Sequence, residues 1–159
     1  MHNRKNLRLK NFEYNSAGAY FVTIVCRNRS HLFGQIIADK IIPTAIGSAV
    51  INSWEQLPVK YDRISTDAFV LMPNHLHALL WIQSGSDRTL SNIINFFKAG
   101  VTRNTGLKIW QRGYYDRVVR NEYELMYIRK YIEENPLRWE LDLLNLPGAH
   151  KCAPYKNAG

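Results

Sequence analysis

The residues best suited to chemistry are two histidines one position apart. His75 and His77 stand in the run His75-Leu-His-Ala-Leu-Leu-Trp-Ile82. On a strand, alternating side chains would put both imidazoles on one face, about 6.5 to 7 Å apart at Cα, with Leu76 on the other. That spacing lets two rings converge on one ion, or lets two polar residues simply decorate the exposed face of a strand. Two imidazoles fall short of a structural zinc site, which takes four ligands. An ion here would therefore need a further ligand from elsewhere in the fold.

Tyr123, Tyr127, Tyr131 and Asn135 recur every four residues, which on a helix makes one slowly drifting stripe. At roughly 100° per residue, the apolar centre set by Leu125, Ile128 and Ile132 lies about 80° from Tyr131, about 120° from Tyr127 and about 160° from Tyr123. Tyr131 therefore borders the buried seam and Tyr123 faces solvent. The Tyr131 hydroxyl could reach the sheet, or the ring could pack with its hydroxyl wet. Asn135 could supply an amide oxygen to a metal, or could only mark the end of the helix before Pro136.

Positive charge is clustered. Arg4, Lys5, Arg8 and Lys10 open the chain without an acid, and Arg88 to Arg120 holds seven basic residues against the single acid Asp116. The net charge of +8 and pI of about 9.6 suit a polyanion, nucleic acid being the commonest. Lys98, Arg103 and Arg112, with Arg4, Lys5 and Arg8, are the candidate phosphate contacts, and Trp110 or Tyr114 could stack on unpaired bases. Each could equally be an ordinary core aromatic or a solvated charge. There is no GxxxxGK[ST], GxGxxG or GxSxG pattern, so ATP hydrolysis, dinucleotide chemistry and serine-elbow hydrolysis lack support.

The elements that must position these residues can be read from periodicity. Ala19 to Arg27 is rich in β-branched and aromatic residues and reads as a first strand. Thr44 can cap a helix running to about Gln56. Asp67–Met72 and His75–Ile82 read as strands joined by Pro73-Asn74 in a hairpin. A second helix carries Leu90, Ile93, Ile94, Phe97 and Val101 and closes near Gly106, Tyr114 to Val119 is a short strand, and Asn121 with Glu124 caps a third helix. The order βαββαβ plus a helix predicts an α+β, ferredoxin-like antiparallel sheet with helices on one face and an additional C-terminal helix.

At 159 residues, 46% hydrophobic and 21% charged, the chain has the size and balance of one soluble globular domain. Residues 1–142 are expected to form it, with a basic segment at 1–18 and a tail at 143–159. Cys26 and Cys152 form no CxxC pair, no signal-peptide stretch follows the basic start, and no run is long enough to cross a bilayer, which fits a cytoplasmic protein.

Pro73-Asn-His-Leu-His77, Trp110-Gln-Arg-Gly-Tyr-Tyr115 and Tyr131-Ile-Glu-Glu-Asn-Pro136, in that order and spacing, resemble the REP-associated tyrosine transposases. These are relatives of the small insertion-sequence transposases within the HUH nuclease superfamily, and the likeness runs from about Arg8 to Asp142. It implies that His75 and His77 bind a divalent metal, Mg2+ or Mn2+, and that Tyr131 is the nucleophile. The implied activity is cleavage and strand transfer of single-stranded DNA, folded as a palindromic hairpin, through a 5′-phosphotyrosine intermediate. One departure concerns the third ligand, because the insertion-sequence branch commonly has Gln where this chain has Asn135. A homodimer sharing the tyrosine helix is also open. The rival readings are a non-catalytic single-stranded nucleic-acid-binding module of ferredoxin-like fold and a metal-dependent phosphodiesterase for a small nucleotide.

Overall fold

A computed structural model describes residues 17–141 of the chain. The strand β1 (Gly18–Val25) is buried at every position after Gly18, which explains why its sequence is a continuous apolar run rather than an alternation. Tyr20, Val22 and Ile24 pack with Val50 and Trp54 of helix α1 (Ala45–Glu55) and with Ile93, Ile94, Phe97 and Val101 of helix α3 (Leu90–Thr105). A short helix α2 (Leu57–Lys60) follows α1. From the other face of β1, Phe21 packs with Leu79 and with Leu125, Ile128 and Ile132 of helix α4 (Glu122–Glu134).

Four antiparallel strands lie in the order β4-β5-β1-β6, with β4 Ile64–Met72, β5 His75–Ile82 and β6 Tyr115–Val118. This is the ferredoxin-like α+β arrangement. Helices α1 and α3 share one face as expected, and the additional C-terminal helix α4 covers the opposite face. The residue types explain it, because both faces of the sheet are apolar and each needs a cover.

The caps follow the sequence closely. The Thr44 hydroxyl accepts from Gly47 N–H, Thr89 from Asn92 N–H and Asn121 Oδ1 from Glu124 N–H, while Gly106 ends α3 at φ 70°. A second, two-stranded sheet lies between β1 and α1: β2 (Gly34–Ile37) and β3 (Lys40–Pro43). It was not legible because its turn residues, Ala38 and Asp39, adopt positive φ of 50° and 60°, a conformation normally signalled by Asn-Gly.

Helix α4 is tied to both edges of the sheet. Arg129 donates to both Asp67 oxygens on β4 at 3.0 and 2.6 Å, and Trp81 Nε1 donates to the same carboxylate at 2.9 Å. Arg117 of β6 donates to Glu124 at 2.6 Å. Pro136 does not turn the chain away after α4. The backbone tightens instead into a 3-10 segment, Asn135–Leu141, that stays on the structure.

Candidate active site

Five polar side chains are buried among the described residues: Thr23, Asn74, His75, His77 and Asn135. Four of them form one hydrogen-bonded chain. Thr23 Oγ1 lies 2.7 Å from His77 Nδ1, the two Nε2 atoms of His77 and His75 are 3.1 Å apart, and His75 Nδ1 is 2.7 Å from Asn74 Oδ1. The register explains the grouping, because Thr23 pairs with His77 and Val25 with His75 on the face of the sheet that α4 covers. Leu76 and Ala78 point into the opposite core, as the alternation requires.

The two imidazoles do not decorate an exposed face, since both rings are 0% exposed. The cover comes from α4 and the segment after it. Tyr131 meets His77 edge-on at 5.2 Å between ring centroids, and Trp139 lies 6.1 Å from His75 and 5.4 Å from His31. Burial drives the pKa of both imidazoles well below the ordinary value, helped at His75 by the neighbouring His77 and His31. Both rings are therefore neutral, the form in which imidazole nitrogen has a lone pair for a metal.

The donor set fits a divalent ion. Two nitrogens bound to one ion at about 2.1 Å sit roughly 3 to 3.5 Å apart, which is the spacing of the two Nε2 atoms. Asn135 is 2% exposed and its Oδ1 has no hydrogen-bond partner among the described residues. It stands one turn beyond Tyr131 and one before Trp139, between the residues that cover His77 and His75. A buried amide oxygen left unpaired normally costs about 1 to 3 kcal/mol, so this orphan is the strongest mark of a ligand position. No group of three His, Cys, Asp or Glu among the described residues could hold a metal.

The tyrosine stripe is ordered as its helical angles predict. Tyr131 is half-buried against Phe21 and His77, Tyr127 is 50% exposed and Tyr123 86%. The tyrosine helix lies on the sheet of its own chain.

Several expected DNA contacts are placed differently. Tyr114 is 7% exposed with its hydroxyl 2.9 Å from Ser91, so its ring offers no stacking face. Trp110 is wedged between Phe33 and Phe97. Lys98 donates to the Gln111 and Gly113 carbonyls and braces that loop. Both are drawn into structural roles because the 109–113 segment runs beside the end of β1, where Arg27 N–H meets Ile109 and Gln111 N–H meets Val25. Arg103 and Arg112 are exposed, whereas Arg4, Lys5 and Arg8 lie outside the described residues.

Sequence reasoning missed Thr23 and Asn74, whose signal was their place beside the histidines in a strand pairing, and it missed Trp139 and Arg27 to Arg29. Three sequence segments now meet at one end of the sheet. Pro73–His77 forms the hairpin and the imidazole pair, Trp110–Tyr115 runs along the end of β1, and Tyr131–Pro136 covers the rings.

No protein-family model matches the chain. An uncharacterised Haemophilus influenzae protein is 36% identical over 169 residues, covering 91% of this chain and 94% of that one. The REP-associated tyrosine transposase of Escherichia coli is 28% identical over 127 residues, covering 79% of this chain and 70% of its own. The chain is thus similar in sequence to a REP-associated tyrosine transposase. The fold is similar as well: a REP-associated tyrosine transposase solved bound to a REP hairpin superposes with a TM-score of 0.67 at 20% identity, over 95% of both chains. No helix among the described residues is long and apolar enough to cross a membrane.

Proposed function

We propose that the chain cleaves and rejoins single-stranded DNA at a hairpin-forming repeat, with Tyr131 as nucleophile and a divalent ion, Mg2+ or Mn2+, held by His75, His77 and Asn135. The observation that carries this reading is the packing of the Tyr131 ring on His77, which brings a phenol to the buried cluster of polar side chains among the described residues. When bound, the ion would polarise the scissile phosphate and favour the phenolate.

The residues of the chain account for the remainder. Tyr131 Oη attacks phosphorus, the bond to the 3′ oxygen breaks, and the phenol proton passes through water to that oxygen, which leaves a free 3′-hydroxyl and a 5′-phosphotyrosine. Because the phosphodiester is exchanged rather than hydrolysed, another 3′-hydroxyl can reverse the step without ATP. Arg129 and Arg117 hold α4 against the sheet, so the hydroxyl needs no search for its position. Exposed Arg27 and Arg112 stand beside the site and are suited to backbone phosphates. The solved relative was bound to a REP hairpin, which supports a hairpin as the substrate class.

Incubation with hairpin-bearing single-stranded DNA and Mn2+, followed by a denaturing gel, tests the proposal. A covalent protein–DNA adduct that EDTA suppresses is expected. Tight binding with no adduct under any ion would instead favour a non-catalytic binding module.

A further inference from the structure

The hydrogen-bonded chain fixes which nitrogen of each imidazole bears a proton. Asn74 Nδ2 donates to the Arg29 carbonyl at 3.2 Å, which turns Oδ1 toward His75 Nδ1 at 2.7 Å. An amide oxygen only accepts, so the proton of His75 is on Nδ1 and its Nε2 keeps a bare lone pair. The two Nε2 atoms, 3.1 Å apart, share one hydrogen, which His77 Nε2 must then supply. His77 Nδ1 is consequently an acceptor, and the Thr23 hydroxyl donates to it across 2.7 Å.

We propose that Asn74 and Thr23 are the positioning residues of the metal site, with unequal tasks: Asn74 presets His75, and Thr23 lets His77 exchange tautomers. For both Nε2 lone pairs to face an ion, His77 must move its proton from Nε2 to Nδ1. The number of protons on the ring is unchanged. Thr23 accommodates both states by rotating its hydroxyl, since Oγ1 can donate or accept. Neither a valine, which can do neither, nor a fixed carboxamide would serve both states. The imidazole pair is therefore self-satisfied without an ion and becomes ligand-competent through one hydroxyl rotation and one tautomer shift. Outer partners of this kind govern ligand orientation and basicity, and their loss costs 10- to 100-fold in metal affinity in general.

This inference rests on the metal reading above, and its test separates the two. Long-range 1H–15N correlation of the ion-free protein should show His75 protonated on Nδ1 and His77 on Nε2, a result that requires no variant and no ion. Calorimetry with Mn2+ should show Thr23→Val weakened about 10- to 100-fold while Thr23→Ser keeps wild-type affinity. Asn74→Leu should spread His75 over both tautomers. His75 protonated on Nε2 in the wild type, or Thr23→Val binding Mn2+ as tightly as the wild type, overturns the proposal. If His77→Gln binds Mn2+ as the wild type does, the metal reading falls, while the tautomers are still decided by the ion-free spectrum.

Discussion

At the residue scale, the site is a polar cluster sunk in an apolar sheet face, and its cost is measurable. An unfolded histidine takes up a proton near pH 6.5, whereas burial holds His75 and His77 neutral in the folded chain well below that. The unfolded state thus binds more protons as the pH falls through 6.5, and stability falls with it. From pH 7 to 5.5 the pair should remove about 2 kcal/mol, read as a lower urea midpoint in ion-free buffer. An unchanged midpoint would mean that the rings are not buried in solution. Asn135 makes the opposite case. Its Oδ1 has no partner among the described residues, so Asn135→Leu should leave thermal stability unchanged or raise it by about 1 kcal/mol, because an orphaned acceptor is removed. Mn2+ affinity and cleavage should both drop. Wild-type cleavage by that variant would remove the amide from the site.

At the element scale, α4 matters most because it carries Tyr131 and is held by side chains at both sheet edges. Arg129 lowers the Asp67 carboxyl to a pKa of about 2, so this pair persists at any pH of interest. Arg129 is about half exposed, and an exposed pair contributes only about 1 kcal/mol. Its loss should show in catalysis more than in stability. Asp67→Ala removes the anchor of Arg129 and Trp81 together, and should speed amide exchange along α4 and slow adduct formation at least tenfold while DNA affinity holds. Unchanged exchange and unchanged rate would leave the pair without a positioning role. The elements themselves were mostly legible: β5, α1 and α3 fall where periodicity and the Thr44 and Gly106 caps put them. The β2–β3 hairpin escaped because Ala38 and Asp39 carry no turn signature. The burial of His75 and His77 escaped for a different reason: a strand pattern gives which residues share a face but not what covers it, and the cover here comes from α4 and Trp139, more than fifty residues away.

At the scale of the whole molecule, charge and fold point the same way. The net charge is +8, and Arg27 and Arg112, the proposed phosphate contacts, are exposed. Displacing counterions from DNA makes such binding salt-dependent. Affinity for hairpin-bearing single-stranded DNA should fall by about tenfold or more between 50 and 200 mM salt, followed by fluorescence anisotropy. Arg112→Ala should weaken binding and flatten that slope. A slope near zero would take the phosphate-tracking surface out of the picture. Lys98→Met should act otherwise, loosening the Gln111 to Gly113 loop it braces and lowering stability.

The central claim, that Tyr131 is the atom source of the covalent bond, has a direct measurement. Phe at this position keeps the ring that packs on Phe21 and His77 and removes only the hydroxyl. Wild type, Tyr131→Phe, Tyr127→Phe and Tyr123→Phe are each incubated with the same hairpin-bearing single strand and Mn2+, and the covalent adduct is quantified on a denaturing gel. Tyr131→Phe is expected to fold and bind DNA as the wild type does yet form no adduct, while the other two variants, whose rings are half or more exposed, keep most of it. An adduct that persists in Tyr131→Phe would contradict the assignment.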